Sequence, residues 1–532
     1  MTTVSTLSSK RWTAGMAHPG RRKILAVLCL SLLIVVIDNT VLNTALPTLA
    51  RQLHAGTSSL QWIADAFSLV FAALLVTAGA IGDRFGRRQA LVGGLVLYAV
   101  GSTGAALAGS AGTLITWRAV MGAGAAFVMP ATLSILNSVF PSTERPQAIA
   151  LWSAVAGVAV VIGPTLGGFL LAHFAWGAVF WVNLPFVAVA LAAIVTVVPE
   201  IAVTSDKARL DVTGVIMSAA GLVALVDAII EAPDRGWASP LTLGELALAI
   251  AVLAGFVIWE RHTANPMIDV RVFTHRAFSA ASGALALTFF ALFGSLFVLT
   301  QYLQLVHGYS TLSAGVRALP FALAMGAVSP VSGILAQRFG VRRIVPAGLA
   351  LMGAGLWWLS NVTPATGYPH LAAAVVLMGA GMGLIMAPAS ESIMSALPHE
   401  QAGAGSAIND TVREVGGALG VAVVGSIVSA AYRSQLHLTG LLSGIPAAAV
   451  RAARTSVAAA DQVAAAAGPH ATGLAVAAHS AFTTSMTDGL QVVAGLAVAG
   501  ALAAAWALPK HGRPDSAQVE AAEATAPDLI AA

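Results

Sequence analysis

Fourteen long apolar segments constrain the fold of this chain more than any other feature. They begin near residues 24, 60, 89, 113, 147, 178, 212, 241, 278, 311, 343, 369, 402 and 488. A helix needs about 20 mostly apolar residues to cross a bilayer, and each segment supplies such a run. Because only 9% of the residues are charged and 58% are hydrophobic, a soluble globular fold is excluded. The pattern predicts an all-α polytopic membrane protein with fourteen transmembrane helices.

A glycine-rich basic loop occurs twice, at residues 79–88 and 333–343. The second copy is degraded, with Gln337 at the position that Asp83 holds in the first. A weak internal repeat of apolar helices is typical of secondary transporters. The two loops must lie on the same side of the membrane, and their separation leaves room for eight spans. A simple duplication of six spans needs only six, so the surplus indicates two inserted helices.

The chain therefore divides into five predicted parts. They are a tail at 1–23, a six-helix bundle at 24–200, a linker with two inserted helices at 201–276, a second six-helix bundle at 277–508 and a tail at 509–532. The second bundle includes a long alanine-rich outer loop at 430–487. Lysine and arginine favour one set of loops, which places both termini in the cytoplasm. We expect a bacterial cytoplasmic membrane protein, surrounded by lipid and monomeric. Because the net charge of +4 reflects topology, it indicates no nucleic-acid partner.

Two acids inside apolar segments are candidates for proton coupling. An ionised group at the bilayer centre costs about 2.5–3.5 kcal/mol on insertion scales, so its presence needs a reason. Asp38 lies near the middle of the first span, where burial favours the protonated form; the alternative is a structural aspartate before Pro47. Asp65 shares a helix face with Gln61 and Ser68. It is interpreted either as an outer proton acceptor or as a first-turn acid at a helix N-terminus.

The first copy of the basic loop is a candidate gate. Its members are Gly79, Asp83, Arg84, Gly86, Arg87 and Arg88. The glycines permit a tight turn and close helix approach. Asp83 could pair with arginines or a neighbouring helix end at the membrane edge, closing the cytoplasmic side. For Arg87 and Arg88 the simpler interpretation is positive-inside anchoring.

These motifs resemble those of the major facilitator superfamily, in its fourteen-span drug:proton antiporter branch. Residues 79–91 resemble the loop signature of the superfamily, 38–47 the first-helix signature of the branch, 114–126 the fourth-helix motif and 176–185 the start of the sixth helix. The fifth-helix antiporter motif is matched by Gly157, Gly163, Pro164, Gly167 and Gly168. Two departures stand out: Met121 replaces a glutamine of the fourth-helix motif, and the tenth span carries Arg317 rather than an acid.

The resemblance implies roles for particular residues. Asp38 would carry the coupling proton, and Arg118 would assist proton transfer by acting on a nearby acid; an interfacial arginine is the alternative for Arg118. Gly163 and Pro164 would form a bendable segment that prevents leakage, consistent with the backbone hydrogen bond that proline removes. The lack of an acid in the tenth span argues against export of divalent cations.

The second half offers candidates for a substrate cavity. Phe289, Phe293 and Phe297 recur every fourth residue in span nine, and the same stripe continues to Gln301 and Gln304. Such an aromatic wall suits flat, hydrophobic or cationic compounds, although lipid contact or helix packing explains it equally well. Polar or charged candidates in later spans are Asn409, Arg413 and Glu391. A local salt bridge from Asp410 to Arg413 and a membrane-edge position for Glu391 are the alternatives.

The sequence therefore predicts a proton-coupled antiporter that exports hydrophobic or amphipathic drugs and antibiotics. A dedicated exporter of one endogenous metabolite, such as a self-made antibiotic or siderophore, is the alternative. An enzyme or ATP-driven pump is not expected, since no lysine is followed by serine or threonine as a P-loop requires. No Cys/His cluster indicates a metal. We expect no cofactor, with the proton as coupling ion.

Overall fold

The computed structural model describes residues 18–141, 144–200, 211–264, 266, 268, 270–395, 402–436, 447–467 and 472–508. These residues form helices and connecting turns, and no β-strand occurs among them. Twelve helices in this described part are long and apolar enough to cross a membrane. The prediction of an all-α protein with many spans is confirmed, whereas the count of fourteen is not.

The N-terminal half contains the first seven described helices. They are α1 (Arg21–Gln52), α2 (Thr57–Phe85), α3 (Arg87–Ala106), α4 (Ala111–Val139), α5 (Arg145–His173), α6 (Ala178–Trp181) and α7 (Asn183–Val197). Helix α4 begins at a capping box, in which the Ser110 hydroxyl and the Thr113 side chain each accept a backbone N–H from the other residue. Helix α5 is long but lies outside the set of twelve candidate spans.

The linker and the C-terminal half contain the remaining helices. The linker carries α8 (Val212–Arg235) and α9 (Pro240–His262). The C-terminal half carries α10 (Arg276–Gln301), α11 (Thr311–Arg317), α12 (Leu319–Phe339), α13 (Val341–Leu359), α14 (Tyr368–Ser395), α15 (Ala402–Gln435), α16 (Ala447–Ala453), α17 (Val457–Ala467) and α18 (Thr472–Ala507). Helix α10 continues into a π-helical turn at Tyr302–Val306. Helix α13, like α5, is long but lies outside the twelve candidate spans.

The two basic loops form the same tight turn in both halves. Gly86 joins α2 to α3 with φ of 116°, and Gly340 joins α12 to α13 with φ of 84°, a left-handed conformation that favours glycine. Two residues after each glycine, an arginine donates to a backbone carbonyl near the C-terminus of α7 in the first half or of α18 in the second half. Arg88 reaches the Val195 carbonyl at 2.7 Å, and Arg342 reaches the Ala505 carbonyl at 2.5 Å.

Close helix approach also repeats between the halves. Gly122 of α4 packs directly on the Phe67 carbonyl of α2, and Gly379 of α14 packs directly on the Phe321 carbonyl of α12. A side chain at either glycine would collide with backbone, so both positions require a residue without Cβ. The internal repeat seen in the sequence is therefore matched by equivalent contacts in the structure.

Hydrogen bonds between the halves cluster at the end of the bundle that carries the α1–α2 connection, called here the α1–α2 end. Gln61 donates to the Ala422 carbonyl at 2.8 Å, and Gln304 donates to the Thr44 carbonyl at 2.9 Å. Thr311 donates to the Gly168 carbonyl at 3.1 Å. Since these bonds connect α2 to α15, α10 to α1 and α11 to α5, the bundle is closed at this end.

The prediction of a long loop at 430–487 is wrong. Helix α15 continues through Gln435, and α18 begins at Thr472, well before the predicted start near 488. Between them α16 and α17 pack across the α1–α2 connection, where Gln462 donates to the Arg51 carbonyl at 2.8 Å. Thr57 donates to the Thr455 carbonyl at 3.1 Å. Alanine favours helix, and the apolar first turns of α18 pack against α17, so these residues are helical rather than part of a loop.

Candidate transport site

A buried ion pair lies at the centre of the N-terminal half. Arg118 of α4 donates to the Asp38 carboxylate of α1 at 2.5 Å, and the two side chains are 0% and 2% exposed. Both residues were predicted as coupling candidates, and the structure brings them together. The interfacial interpretation of Arg118 is wrong, because its guanidinium is enclosed by helices rather than extended to a membrane surface.

Two polar residues complete the surroundings of Asp38. Asn183 at the start of α7 donates to Asp38 Oδ1 at 2.9 Å and to the Ser102 hydroxyl at 3.1 Å. Ser102 in turn donates to the Phe180 carbonyl at 2.8 Å. Both Asn183 and Ser102 are buried. Sequence reasoning placed Asn183 in a motif without assigning it a role; a lone amide within an apolar run was the available signal.

Arg118 also contacts α2. Its Nε donates to the Ile63 carbonyl at 3.3 Å, and its guanidinium carbon lies 4.6 Å from the centre of the Phe67 ring. One terminal nitrogen, Nη2, is buried without a hydrogen-bond partner. The arginine thus connects α1, α2 and α4, and a change in the charge of Asp38 would act on all three helices.

Asp65 lies on α2 at the interface between the halves. It is 1% exposed, and its Oδ2 atom has no hydrogen-bond partner. Because α2 begins at Thr57, Asp65 is in the third turn, and its interpretation as a first-turn acid is wrong. The carboxyl group borders a small cavity that is also lined by Asn39, Phe293 and Gly417.

Charged residues of α15 face the same region. Arg413 lies 3.5 Å from Asp410 and donates to the Ser390 hydroxyl at 3.0 Å, and Ser390 donates to Asn409 at 3.4 Å. Glu414, which sequence reasoning missed, follows Arg413 on α15 and lies three residues before Gly417, which borders the cavity. Its presence in an apolar span next to Arg413 was the signal that could have revealed it.

The predicted aromatic stripe divides into two parts. Phe289 and Phe293 stack with centroids 6.1 Å apart, Phe293 borders the cavity, and Arg413 lies 5.6 Å from the Phe289 ring. Phe297 and Gln301 are buried, and Gln301 donates to the Phe297 carbonyl of its own helix at 3.0 Å. Only the first part of the stripe therefore borders the cavity or lies beside Arg413.

The sequence model of the Major Facilitator Superfamily matches residues 28–421 and 281–457. The chain belongs to the major facilitator superfamily. Its fold agrees with that of a bacterial homologue of the human lysosomal transporter Spinster, solved in an inward-facing, unoccupied conformation. The TM-score is 0.66 at 18% sequence identity, with 93% of this chain and 98% of that chain covered.

Curated relatives of this major facilitator protein cover most of its length. It is 32% identical over 496 residues to the tetracenomycin C resistance and export protein of Streptomyces glaucescens, with 92% of each chain covered. It is 34% identical over 489 residues to the multidrug efflux pump LfrA of Mycolicibacterium smegmatis, with 90% of this chain and 94% of the other covered. These matches identify a multi-pass membrane transporter.

The fifth-helix motif of this superfamily member holds α5 between α1 and α11. Gly163 packs against Thr40 and Gly167 against Val41, both of α1, whereas Gly168 packs against the backbone of α11. The Pro164 carbonyl lies against Gly315 of α11, and Gly157 lies six residues before Gly163 in the same helix. Glycine is needed wherever these backbones touch. The motif is thus part of the contact between the halves at the α1–α2 end.

The basic loop makes its described contacts within the N-terminal half. Arg87 donates to the Ser138 hydroxyl at 2.5 Å, Arg84 lies 5.2 Å from the Phe85 ring, and Gly79 approaches Pro130 of α4. The side chain of Asp83 lies outside the described residues, so its gating role stays a prediction. Glu391 is exposed near the end of α14 and does not border the cavity at Asp65.

Proposed function

We propose that this transporter is a proton-coupled antiporter that exports hydrophobic or amphipathic compounds, including drugs and antibiotics. The observation that carries the proposal is the Asp38–Arg118 ion pair with Asn183 as its third member. Burying a carboxylate within a membrane protein costs free energy, so such a residue usually has a functional role. Protonation of Asp38 would break the ion pair and free Arg118 to move relative to α1 and α2.

The similarity to named export and efflux proteins supports the substrate class. By name, one relative acts in resistance and export and the other in multidrug efflux, and the chain covers at least nine tenths of each. The stacked rings of Phe289 and Phe293 would suit a flat, apolar compound once the interface between the halves opens. Since the described part of α11 and α12 contains no acid, divalent cations should be poor substrates.

Orientation and span number belong to the same proposal. With both termini in the cytoplasm, the α1–α2 end faces outward, and this structure is closed to the outside. Adding α5 and α13 to the twelve candidate spans would produce fourteen, of which α8 and α9 are the inserted pair.

Proton flux in inverted membrane vesicles tests the proposal. Ethidium, puromycin and methyl viologen serve as monocationic, amphipathic and dicationic probes, and a pH-sensitive dye reports proton movement. Ethidium or puromycin should release protons from acidified vesicles in wild type and in Glu245→Gln, whose acid belongs to the inserted helices. The Asp38→Asn variant should release none. Substrate uptake that an uncoupler leaves unchanged would refute proton coupling.

A second candidate is the dedicated export of one endogenous antibiotic. It is favoured by the similarity to the tetracenomycin C protein over 92% of both chains. The two candidate functions differ in the number of compounds that the transporter would export. If a single compound of the panel, or none, elicits proton flux while an extract of the producing cell does, the dedicated exporter is supported.

A further inference from the structure

A groove opens on the outer surface of the C-terminal half, between α13 and α18, and is called here the α13–α18 groove. Its volume is about 800 Å³. Its floor consists of small side chains, and Gly353 of α13 packs there against Ala494 and Val498 of α18. Gly495 also lines the groove, and a Cβ at that position would meet no atom within 4 Å. All the lining residues belong to the C-terminal half, so the groove is separate from the interface between the halves.

The groove lies at the depth of the outer half of the bilayer. At 1.5 Å per residue, Trp357 is about 24 Å along α13 from Val341, and Gln491 is about 22 Å along α18 from Trp506. Val498 is about 12 Å from Trp506 on the same scale. Since the hydrocarbon core is about 30 Å thick, the groove extends from near the bilayer centre to the level of the outer head groups.

Aromatic side chains mark the outer end of the groove. Trp357 and Trp358 line it and are 57% and 46% exposed. Tryptophan is enriched at the level of lipid head groups, because its ring is apolar and its N–H is polar. Trp358 donates to Nδ1 of His370 at 3.2 Å, and Nε2 of His370 lies 3.2 Å from the Trp358 carbonyl oxygen. These contacts fix the start of α14 beside the outer end of the groove.

Two amide side chains also line this outer end. Asn361 donates to the Trp357 carbonyl at 2.6 Å, which leaves its second amide hydrogen available. Gln491 makes no hydrogen bond in the described part of the chain. An amide in hydrocarbon without a partner costs free energy, so the occupant of this end should supply acceptor oxygens. Because no Lys, Arg, Asp or Glu occurs among the described lining residues, the groove does not select its occupant by charge.

A phospholipid fits these features better than a second copy of the chain does. An acyl chain is flexible and follows a narrow apolar floor, and ester and phosphate oxygens accept hydrogen bonds at the depth of Asn361 and Gln491. A transmembrane helix satisfies its backbone polar groups internally, so its surface offers no such acceptors. A two-fold contact centred on the groove would place one concave surface against another and leave the space unfilled.

We propose that the α13–α18 groove binds one phospholipid of the outer leaflet, with its ester or phosphate oxygens at Asn361 and Gln491 and one acyl chain beside Gly495. The inference uses the orientation proposed above, but it requires neither proton coupling nor drug export. In the described helices, α13 and α18 share a hydrogen bond only at the inner end, where Arg342 reaches the Ala505 carbonyl. A bound lipid would therefore stabilise the outer part of a contact that is otherwise apolar.

Photo-cross-linking locates the acyl chain. The probe is a phosphatidylethanolamine that carries a diazirine near the middle of one acyl chain, incorporated into nanodiscs with the full-length protein. Mass spectrometry of peptides identifies the labelled residues. Wild type should be labelled within 350–354 and 494–498 more strongly than at Val96 and Val100, which are exposed on α3 and report contact with bulk lipid.

Three variants separate the groove from the surrounding lipid. Gly495→Leu fills the groove, and labelling of the groove should fall about tenfold, because the leucine occupies the volume that the acyl chain needs. Gln491→Leu keeps the space but removes a donor, so labelling should fall about threefold, as expected for one hydrogen bond. The control Gly93→Leu places the same side chain in open space on α3 and should leave the labelling of the groove unchanged.

Groove labelling at the bulk-lipid level in wild type, or equal labelling in wild type and Gly495→Leu, would overturn the proposal. Disulfide-linked dimers of Gly495→Cys in a Cys29→Ser background would also overturn it, because a second copy would then be the occupant. If Gly495→Leu does not fold, Ala354→Leu fills the groove from α13 and should cause the same loss; undiminished labelling in that variant would be decisive against the site. Neither result affects substrate-driven proton flux, whose failure refutes the proposed function alone.

Discussion

Replacing Asp38 by asparagine would leave the Arg118 guanidinium buried without a counter-charge. The two side chains are 0% and 2% exposed, so solvent screens the pair very little. Breaking a buried ion pair by removing one partner destabilises a protein by about 3–5 kcal/mol, mainly because a lone charge remains buried. Asn183 would keep its bond to Ser102 but could not neutralise the arginine. We therefore expect Asp38→Asn to lose both stability and proton-driven transport.

A second substitution separates these two losses. Replacing Arg118 by methionine in the Asp38→Asn background removes the remaining charge and fills a similar volume. Replacing both members of a buried pair by uncharged groups is often neutral or stabilising. The Asp38→Asn/Arg118→Met variant should therefore regain most of the lost stability, whereas transport stays absent, since no titratable group occupies position 38.

Unfolding free energies in mixed micelles and proton-driven uptake in inverted vesicles measure the two effects separately. Single and double variants are compared with wild type and with Glu245→Gln, whose ion pair with Arg235 is partly exposed and contributes little. A double variant as unstable as Asp38→Asn would refute the buried-charge argument. Retained uphill uptake by Asp38→Asn would refute the coupling role.

Three further predictions concern other parts of the molecule. Gly168→Val should block transport by preventing closure at the α1–α2 end, because a side chain would meet the backbone of Leu312. Spin labels at the exposed positions Leu107→Cys and Ala365→Cys, in a Cys29→Ser background, should then report a longer distance than without the valine, and an unchanged distance would contradict this. Asp83→Asn in the first copy of the loop should reduce transport more than Gln337→Ala in the second copy. Equal losses in the vesicle assay would contradict a gating role that belongs to the first copy. Burial and the nearby Arg317 lower the pKa of His307, so the folded state favours the neutral ring. Its contribution to stability is present above the ordinary histidine pKa of 6.5 and declines as the pH falls below it. The protection factors of amides near 302–310 against hydrogen exchange should therefore fall in acid for wild type but not for His307→Gln.

Local patterns in the sequence predicted the helices well because each pattern is complete within one segment. The length of each apolar run was enough to predict a spanning helix. The glycines of the repeated loop were enough to predict a tight turn, and Gly86 and Gly340 adopt positive φ there. The error at 430–487 has the same origin. Alanine-rich sequence is compatible with both surface and buried helix, and spacing along one helix does not reveal that α17 packs against the start of α18, where His479 bonds Asp461.

The partners of the charged residues were less predictable. Asp38 and Arg118 were each singled out, but their contact spans 80 residues, and that of Asp38 with Asn183 spans 145. Neither contact follows from helical periodicity. The cavity role of Gln301 stays a prediction; in this structure its side chain donates to its own helix, a local alternative that spacing alone does not reveal.

The amino-acid sequence by itself determined that the chain crosses a membrane many times, that its two halves repeat and that few charges lie within the spans. Hydrophobicity and helix geometry act over about 20 residues, so these properties are local. The tertiary structure decided which charges meet and at which end the halves close. It joined Asp38 to Arg118 and Asn183, and brought Gly417 of α15 to the cavity beside Asp65. Those contacts depend on how whole helices pack, and packing is settled by backbone approach at glycines such as Gly122, Gly168 and Gly379.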